Sequence, residues 1–240
     1  NKKMEETENE SSAKIAAIGQ LTDIDTLRSS SLLDMLREYS PSDIAKQLTI
    51  IDWELFASVK SFGLLKCAWD KKSLKHRSIP VIRCMTRLDA ISHWSATMIL
   101  LHEDAQQRAE MIRILLSICE ELYKLKNFNS LAAIVVSMDM VSVSRLKQSF
   151  ALLGKRITKV LQEFQVMLNP VGSFKQYRKE LKHTASPVIP YFGVYLSDLM
   201  FIDQGNPDSF DNGLINFDKQ LLVYEIIREI TIYQNHEYSL

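Results

Sequence analysis

From Pro187 to Gln220 the chain reads PVIPYFGVYLSDLMFIDQGNPDSFDNGLINFDKQ, and nine of the twelve residues Tyr191–Ile202 are apolar. Prolines at 187 and 190 mark a helix entry, and Gly205-Asn206-Pro207 marks its stop. A helix without a polar side wide enough for water must be enclosed by its own domain or by a partner. Helical spacing separates two stripes on it. Tyr195, Leu199 and Ile202 suit the home core. Leu196, Met200 and Gln204 stand at i, i+4 and i+8 with Ser197 alongside, and this stripe ends in an amide. That ordering points to a helix presented to something outside its own core.

The flanking sequence is helical as well. Asn216–Tyr233 gives a second arm, with Leu222, Ile226 and Ile230 inward and Glu225, Arg228 and Glu229 outward. The two arms are expected to pair as an antiparallel hairpin. Upstream, Ser40-Pro41-Ser42-Asp43 supplies an N-cap, a proline at the first helical position and an acid in the first turn. Ile44, Leu48 and Ile51 follow as a core stripe, and Leu55, Phe56 and Val59 mark a second helical piece. Arg108–Lys126 is the clearest amphipathic helix, with Met111, Ile114, Leu115, Ile118, Leu122 and Leu125 recurring at three- and four-residue spacing. After Asn127, Phe128–Met138 is almost wholly apolar and fits the domain centre. Ile157–Leu168 ends at Asn169-Pro170, and Phe174–Lys182 is a further short helix. Residues 1–39 read as a lead-in segment, its first twelve polar, acidic and disordered. The fold class is all-α: a single multi-helical domain over residues 40–240 with a protruding helical hairpin.

Composition narrows the function. Lys plus Arg and Asp plus Glu both number 29, so the chain lacks the basic excess of a nucleic-acid or membrane-surface binder. The basic stretch KKSLKHR at Lys71–Arg77 reads as a solvated loop, with contact to anionic lipid or to an acidic partner as its other reading. None of the seven glycines falls into a phosphate-cradling motif, so no direct nucleotide binding is expected. Cys67, Cys84 and Cys119 lie in apolar contexts as buried thiols of a reducing compartment. The five histidines show no metal-ligand spacing, and the adjacent His102, Glu103 and Asp104 point in different directions on a helix. No nucleophile elbow is present. No metal, no cofactor and no covalent chemistry is expected. No apolar run approaches the ~20 residues of a membrane span, and a chain that starts at Asn1 is expected to be a piece of something longer.

These blocks also resemble, in order, the catalytic domain of Ras-type guanine-nucleotide exchange factors. They are SPSDIAKQLTIIDWELFASV at Ser40–Val59, RLDAISHW at Arg87–Trp94, RAEMIRILLSICEELYKLKNFNSLAAIVVSM at Arg108–Met138, SVSRLKQSF at Ser142–Phe150, the stretch Pro187–Gln220, and YQNHEYSL at Tyr233–Leu240. The resemblance implies a factor that makes and breaks no covalent bond. It binds the nucleotide-free state of a Ras-subfamily GTPase, of Ras, Rap or Ral type, and speeds GDP release. It implies a cytoplasmic protein, brought to the inner face of membranes only through the lipidated GTPase, and an upstream helical module that braces the hairpin.

By the same resemblance, the hairpin arm enters beside the GTPase's first switch. Met200 falls near the magnesium site, where an apolar tip offers no ligand; core filler is its other reading. Gln204 falls where the family often has Glu, and can accept a bond from the phosphate-loop serine without carrying the charge. Asp203, about 100° around the helix, puts a negative charge next door. Asn129 matches a contact to the second switch, or else caps the apolar helix beside it. Ser197 and Asn206 match further contacts, Asn206 equally as a turn former, and Phe174 an aromatic contact or core packing. Arg87 and Trp94 hold the scaffold. An inert scaffold of the same fold is the competing reading. A nucleotide hydrolase would need an arginine or a water-positioning residue at the interface, and the stretch Tyr191–Gln204 offers Asp203 and Gln204 but no arginine.

Overall fold

The computed structural model describes Leu36 and residues 38–240. The rest of the expected lead-in segment lies outside the described residues. Among those described, the regular structure is helical, with two isolated β-bridges, Asn127 to Ile189 and Ser209 to Ile215. The helices are α1 Pro41–Ser58, α2 Ser61–Leu64, α3 Ile79–Leu100, α4 Ala105–Lys124, α5 Phe128–Asp139, α6 Val141–Ser144, α7 Lys147–Ala151, α8 Lys155–Met167, α9 Val171–His183, α10 Phe192–Gly205 and α11 Phe217–Gln234. Short 3-10 turns at Leu65–Cys67 and Lys75–Arg77 link α2 to α3.

The starts of these helices follow their local chemistry. Ser40 accepts from the Asp43 amide at 3.1 Å, with Pro41 in the first turn of α1. Asp104 accepts from the amides of Gln106 and Gln107 at the head of α4. The acid that looked like part of a metal triplet is thus a helix cap. Asn127 caps α5 through Ser130 N at 3.1 Å.

α5 is buried over most of its surface. Ten of its twelve residues are enclosed, and only Val136, 39% exposed, and Asp139 at its C-terminal end meet water. α1, α3, α4 and α8 pack around it. α4 supplies the best-formed wall, with Met111, Leu115, Ile118 and Leu122 fully enclosed and Cys119 among them. Burial pushes the thiol of Cys67 up to about 11 and that of Cys84 up to about 12, and that of Cys119 higher still. All three stay protonated and inert at neutral pH.

The core also holds a polar knot. Asp52 of α1 is buried and accepts from Asn127 Nδ2 at 3.0 Å and from the Ser130 hydroxyl. Arg87 Nε of α3 lies 3.4 Å from its other oxygen. Arg87 therefore does hold the scaffold, as its sequence context suggested. The knot also corrects the reading of α1, which is one continuous helix rather than two pieces. Thr49 and Asp52 lie on its buried face together with Ile44, Ala45 and Phe56, while Leu48 and Ile51 are only half-buried. Counting apolar residues missed a face whose contacts to α5 are partly hydrogen bonds.

α10 and α11 form the antiparallel hairpin. Residue 195 meets 229 near one end and 203 meets 219 near the other, so the two chains run in opposite directions. One expected orientation fails: Leu222 is 43% exposed. The inward stripe of α11 is Val223, Ile226, Ile227, Ile230 and Tyr233 instead. α11 has helix on one side only, so the register of the pair, not the local pattern, decides which residues turn inward.

Removing one member of a buried ionic cluster strands the others and costs about 3 kcal/mol or more. Asp52→Ala should accordingly lower the unfolding free energy measured in urea by that amount, and Asp52→Asn by less because an amide can still accept. If Asp52→Ala stays within about 1 kcal/mol of wild type, the knot does not tie α1 and α3 to α5.

Candidate functional site

The hairpin is mounted on α5 and α9. At its base, Phe128 N donates to Ile189 O at 2.9 Å and Ile189 N donates to Lys126 O at 3.0 Å. The first amides of α10 are met by side chains: Tyr191 N donates to the Tyr177 hydroxyl at 2.7 Å and Phe192 N to Asn129 Oδ1 at 3.4 Å. Asn129 is only 6% exposed. Asn127, not Asn129, caps α5, so Asn129 caps the hairpin helix instead of its own. Phe174 is half-buried and meets Tyr191 edge-on, ring centres 5.9 Å apart.

Half-way along, the Tyr195 hydroxyl donates to Glu229 Oε1 of α11 at 2.9 Å. On the opposite flank, Arg178 Nη2 of α9 lies 2.8 and 2.7 Å from the two oxygens of Asp198. Burial pushes the phenols of Tyr177 and Tyr195 far above the ordinary range, so both remain hydrogen-bond donors.

Burial changes along α10. Phe192, Val194, Tyr195, Leu196 and Leu199 are enclosed, Met200 is half-buried against the core, Phe201 is 71% exposed and Gln204 is exposed. The sequence grouped Leu196 with the presented stripe, yet it is buried, because that stripe leaves the core only in the last turn and a half. Ser197 and Asp198 are half-buried on the flank. The apolar wall is therefore domain core at one end and free surface at the other.

The tip is closed by Lys219, itself only 5% exposed. Its ammonium donates to Asp208 Oδ1 at 2.8 Å, Asn206 O at 2.8 Å, Asp203 Oδ1 at 3.2 Å and Asp203 O at 3.2 Å. A cation thus caps the C-terminal carbonyls of α10, the favoured end for positive charge. Asp203 also accepts from Lys71 at 2.8 Å, which joins the tip to the body of the domain. The loop that read as solvated therefore lends a lysine to the hairpin, and the Asp203 charge is matched twice over. Hydrogen bonds from Lys71 and then Lys219 hold the Asp203 carboxyl below its usual range, and Lys219 does the same for Asp208. Burial opposes the charge on Lys219, but the bonds to Asp208 and Asp203 outweigh it and raise its pKa above 10.5. Asn206 Nδ2 donates to Ile202 O at 3.1 Å, as a turn former would.

Met200, Gln204, Ser197, Asp203 and Asn206 thus share one helix and its exit, while Asn129 and Phe174 stand at its base, about 18 Å from Gln204 along the axis. Lys219, Lys71, Arg178 and Phe201 belong to the same structure and were not picked out in the sequence. Among the described residues no group of three or more His, Cys, Asp or Glu side chains is arranged to hold a metal, and no helix is long and apolar enough to cross a membrane.

The chain is similar in sequence to known proteins. The family model described as RasGEF domain matches residues 43–221. Over 206 residues the chain is 37% identical to Ras guanine nucleotide exchange factor K of Dictyostelium discoideum, covering 85% of this chain and 13% of that protein. It is 40% identical over 199 residues to factor J of the same organism, covering 82% of this chain and 24% of that protein. For factor A the values are 38% over 205 residues, 82% and 34%. The chain spans about a third or less of the length of these relatives.

Two outcomes follow from the ties around α10. Asn129→Ala removes one hydrogen bond worth about 1 kcal/mol, and should lower the melting temperature by about 2–4 °C; an unchanged melting point would deny the cap. The carboxylates of Asp203 and Asp208 ionise below 3.8, so their contribution is present above that value and fades as pH falls through the lowered one. Lys219, raised above 10.5, contributes below that value and loses its share as pH rises past the raised one. The tip should hold between roughly pH 4 and pH 10. Amide resonances of Asn206 and Lys219 followed by NMR should move only outside that window, and Lys219→Gln should abolish the alkaline transition. Tip resonances that titrate near neutrality would contradict the assignment.

Proposed function

The chain belongs to the RasGEF domain family, and from that premise we propose that it is a guanine-nucleotide exchange factor for a Ras-subfamily small GTPase. The observation that carries this reading is the burial gradient of α10: an apolar helix rooted in the core whose last turn stands bare and braced by a buried lysine. Such a helix resists bending while it displaces part of a partner.

In the proposed mechanism the tip enters beside the first switch. Met200 occupies the metal's surroundings without offering a ligand, so magnesium loses coordination. Gln204 accepts a hydrogen bond from the phosphate-loop serine that would otherwise serve the metal. Asp203 is matched by Lys71 and Lys219, and so adds no free negative charge to repel phosphate. The tip works by occupation and hydrogen bonding. Ser197 and Asn206 contact the partner along the flank and turn, and Phe174 contacts it near the base. Asn129 serves the second-switch contact by holding Phe192 in place. The partner is of Ras, Rap or Ral type. The chain itself holds no nucleotide, stays cytoplasmic, and meets the inner face of a membrane only through the lipidated GTPase.

A GTPase that holds nucleotide at picomolar affinity is stabilised by about 16 kcal/mol. The factor must therefore prefer the empty state strongly, and by linkage nucleotide weakens the factor's hold by the same ratio. The inert-scaffold reading retains one favourable observation: a tip with Gln204 in place of an acid and Asp203 neutralised carries no repelling charge.

Fluorescent-GDP release from a panel of Ras, Rap and Ral proteins separates the two readings. Exchange activity predicts faster release from at least one of them, and a complex with the empty GTPase that GDP and GTP dissolve equally well without phosphate release. Met200→Asp should slow release with the fold intact, since a carboxylate there can ligate magnesium. Gln204→Glu should leave release unchanged or faster. Binding without acceleration, unaffected by either substitution, would make the scaffold reading the correct one.

A further inference from the structure

α9 opens with three successive residues in the left-handed region, Gly172, Ser173 and Phe174, at φ +67°, +57° and +59°. Glycine adopts this freely, whereas Ser173 and Phe174 crowd Cβ against the following carbonyl. Consecutive left-handed residues survive only where the surroundings over-determine them, and such strain gathers at functional places.

The surroundings lead to one helix. Arg178 Nε donates to Ser173 O at 2.7 Å, and Nη2 of the same guanidinium reaches both carboxylate oxygens of Asp198, at 2.8 and 2.7 Å. The Phe174 ring packs edge-on against Tyr191, the residue that starts α10. The left-handed turn is thus linked to the hairpin helix at two points, directly at its root through Tyr191 and half-way up through Arg178 to Asp198. The ion pair is partly desolvated, with side-chain exposures of 33% and 26%. Its geometry needs a guanidinium, because a lysine ammonium has no planar fork to divide between a carbonyl and a carboxylate.

We propose that Arg178 is a positioning residue for nucleotide exchange. By tying the left-handed turn 172–174 to Asp198, it fixes the tilt of α10 and hence the projection of Met200 and Gln204. The proposal rests on the exchange reading above. Leverage gives it weight: Asp198 lies about 9 Å from the helix root and Gln204 about 18 Å. A 1 Å shift at the tie therefore becomes about 2 Å at the tip, enough to cost on the order of a hundredfold where reacting groups must be placed.

The test reads tilt and exchange separately. Spin labels on Asp211→Cys in the hairpin loop and Lys147→Cys on α7 report the tip-to-body distance without any GTPase. The three native cysteines are buried with raised thiol pKa values, so they do not take label. In this background, Arg178→Gln and the isosteric Asp198→Asn should each shift or broaden the distance by about 2 Å. In the unlabelled chain they should lower kcat for nucleotide release by about tenfold or more and change KM less than about threefold. Arg178→Lys should fall between wild type and Arg178→Gln, and the exchanged pair Arg178→Asp with Asp198→Arg should recover part of the rate. An unmoved distance with an unmoved kcat overturns the proposal. So does a lower kcat that tracks the melting temperature while the distance stays fixed, since that is a merely structural effect. A wild-type chain that releases no nucleotide from any GTPase defeats the exchange reading, and the label distances then decide the tie by themselves.

Discussion

α5 leaves only Val136 and Asp139 within reach of water, and the fold is arranged around that constraint. Ten enclosed residues oblige α1, α3, α4 and α8 to surround it. Its N-terminus then becomes the difficult point, because free amides would be stranded in an apolar interior. Asn127 meets one of them and is itself met by Asp52, whose buried charge requires Arg87 and the Ser130 hydroxyl. The same end of α5 carries the hairpin: Phe128 N holds Ile189 O, and Asn129 holds Phe192 N. The most buried helix of the domain is thus the mount for the one that protrudes.

Mounting explains why α10 can be apolar along its whole length. Its first three turns exchange water for core, while its last turn exposes Phe201 and Gln204. A free apolar tip is prone to collapse onto its own domain, and here charged groups fix its position instead. Lys219 caps the helix's final carbonyls from inside the hairpin, and Lys71 holds Asp203 from the body side. An isolated exposed ion pair contributes little. A buried ammonium with four acceptors is a different case, since each acceptor removed leaves part of a charge unsolvated.

Much of this was legible in the sequence, for identifiable reasons. α4 faces one apolar wall, so the three- and four-residue spacing from Met111 to Leu122 matched its burial. The cap Ser40 and the hairpin's bounds were visible as local chemistry, whereas the cap of α5 was sought at Asn129 and is Asn127. What escaped depended on distant partners. Lys71 and Asp203 are 132 residues apart, and neither stands out in its own neighbourhood. Lys219 is a lone lysine in FDKQ, and only the nearness of Asp203 and Asp208 hints at its burial. Thr49 and Asp52 break the apolar count on α1 because hydrogen bonds do part of the packing there. Gly172 signals a left-handed turn, whereas Ser173 and Phe174 give no sign of extending it.

The ties on α10 bear on how such a helix could act. A protruding helix that had to be ordered on contact would lose part of its binding free energy to lost conformational entropy. α10 is already held at its root by Asn129 and Tyr177, half-way by Arg178 and Glu229, and at its tip by Lys219 and Lys71. Contact energy then remains available to act on the partner's structure. Only interactions stronger in the altered partner than in the resting one accelerate a change in it. A yielding helix would bind both forms of the partner alike. A helix fixed at three levels fits only the form that has moved out of its way.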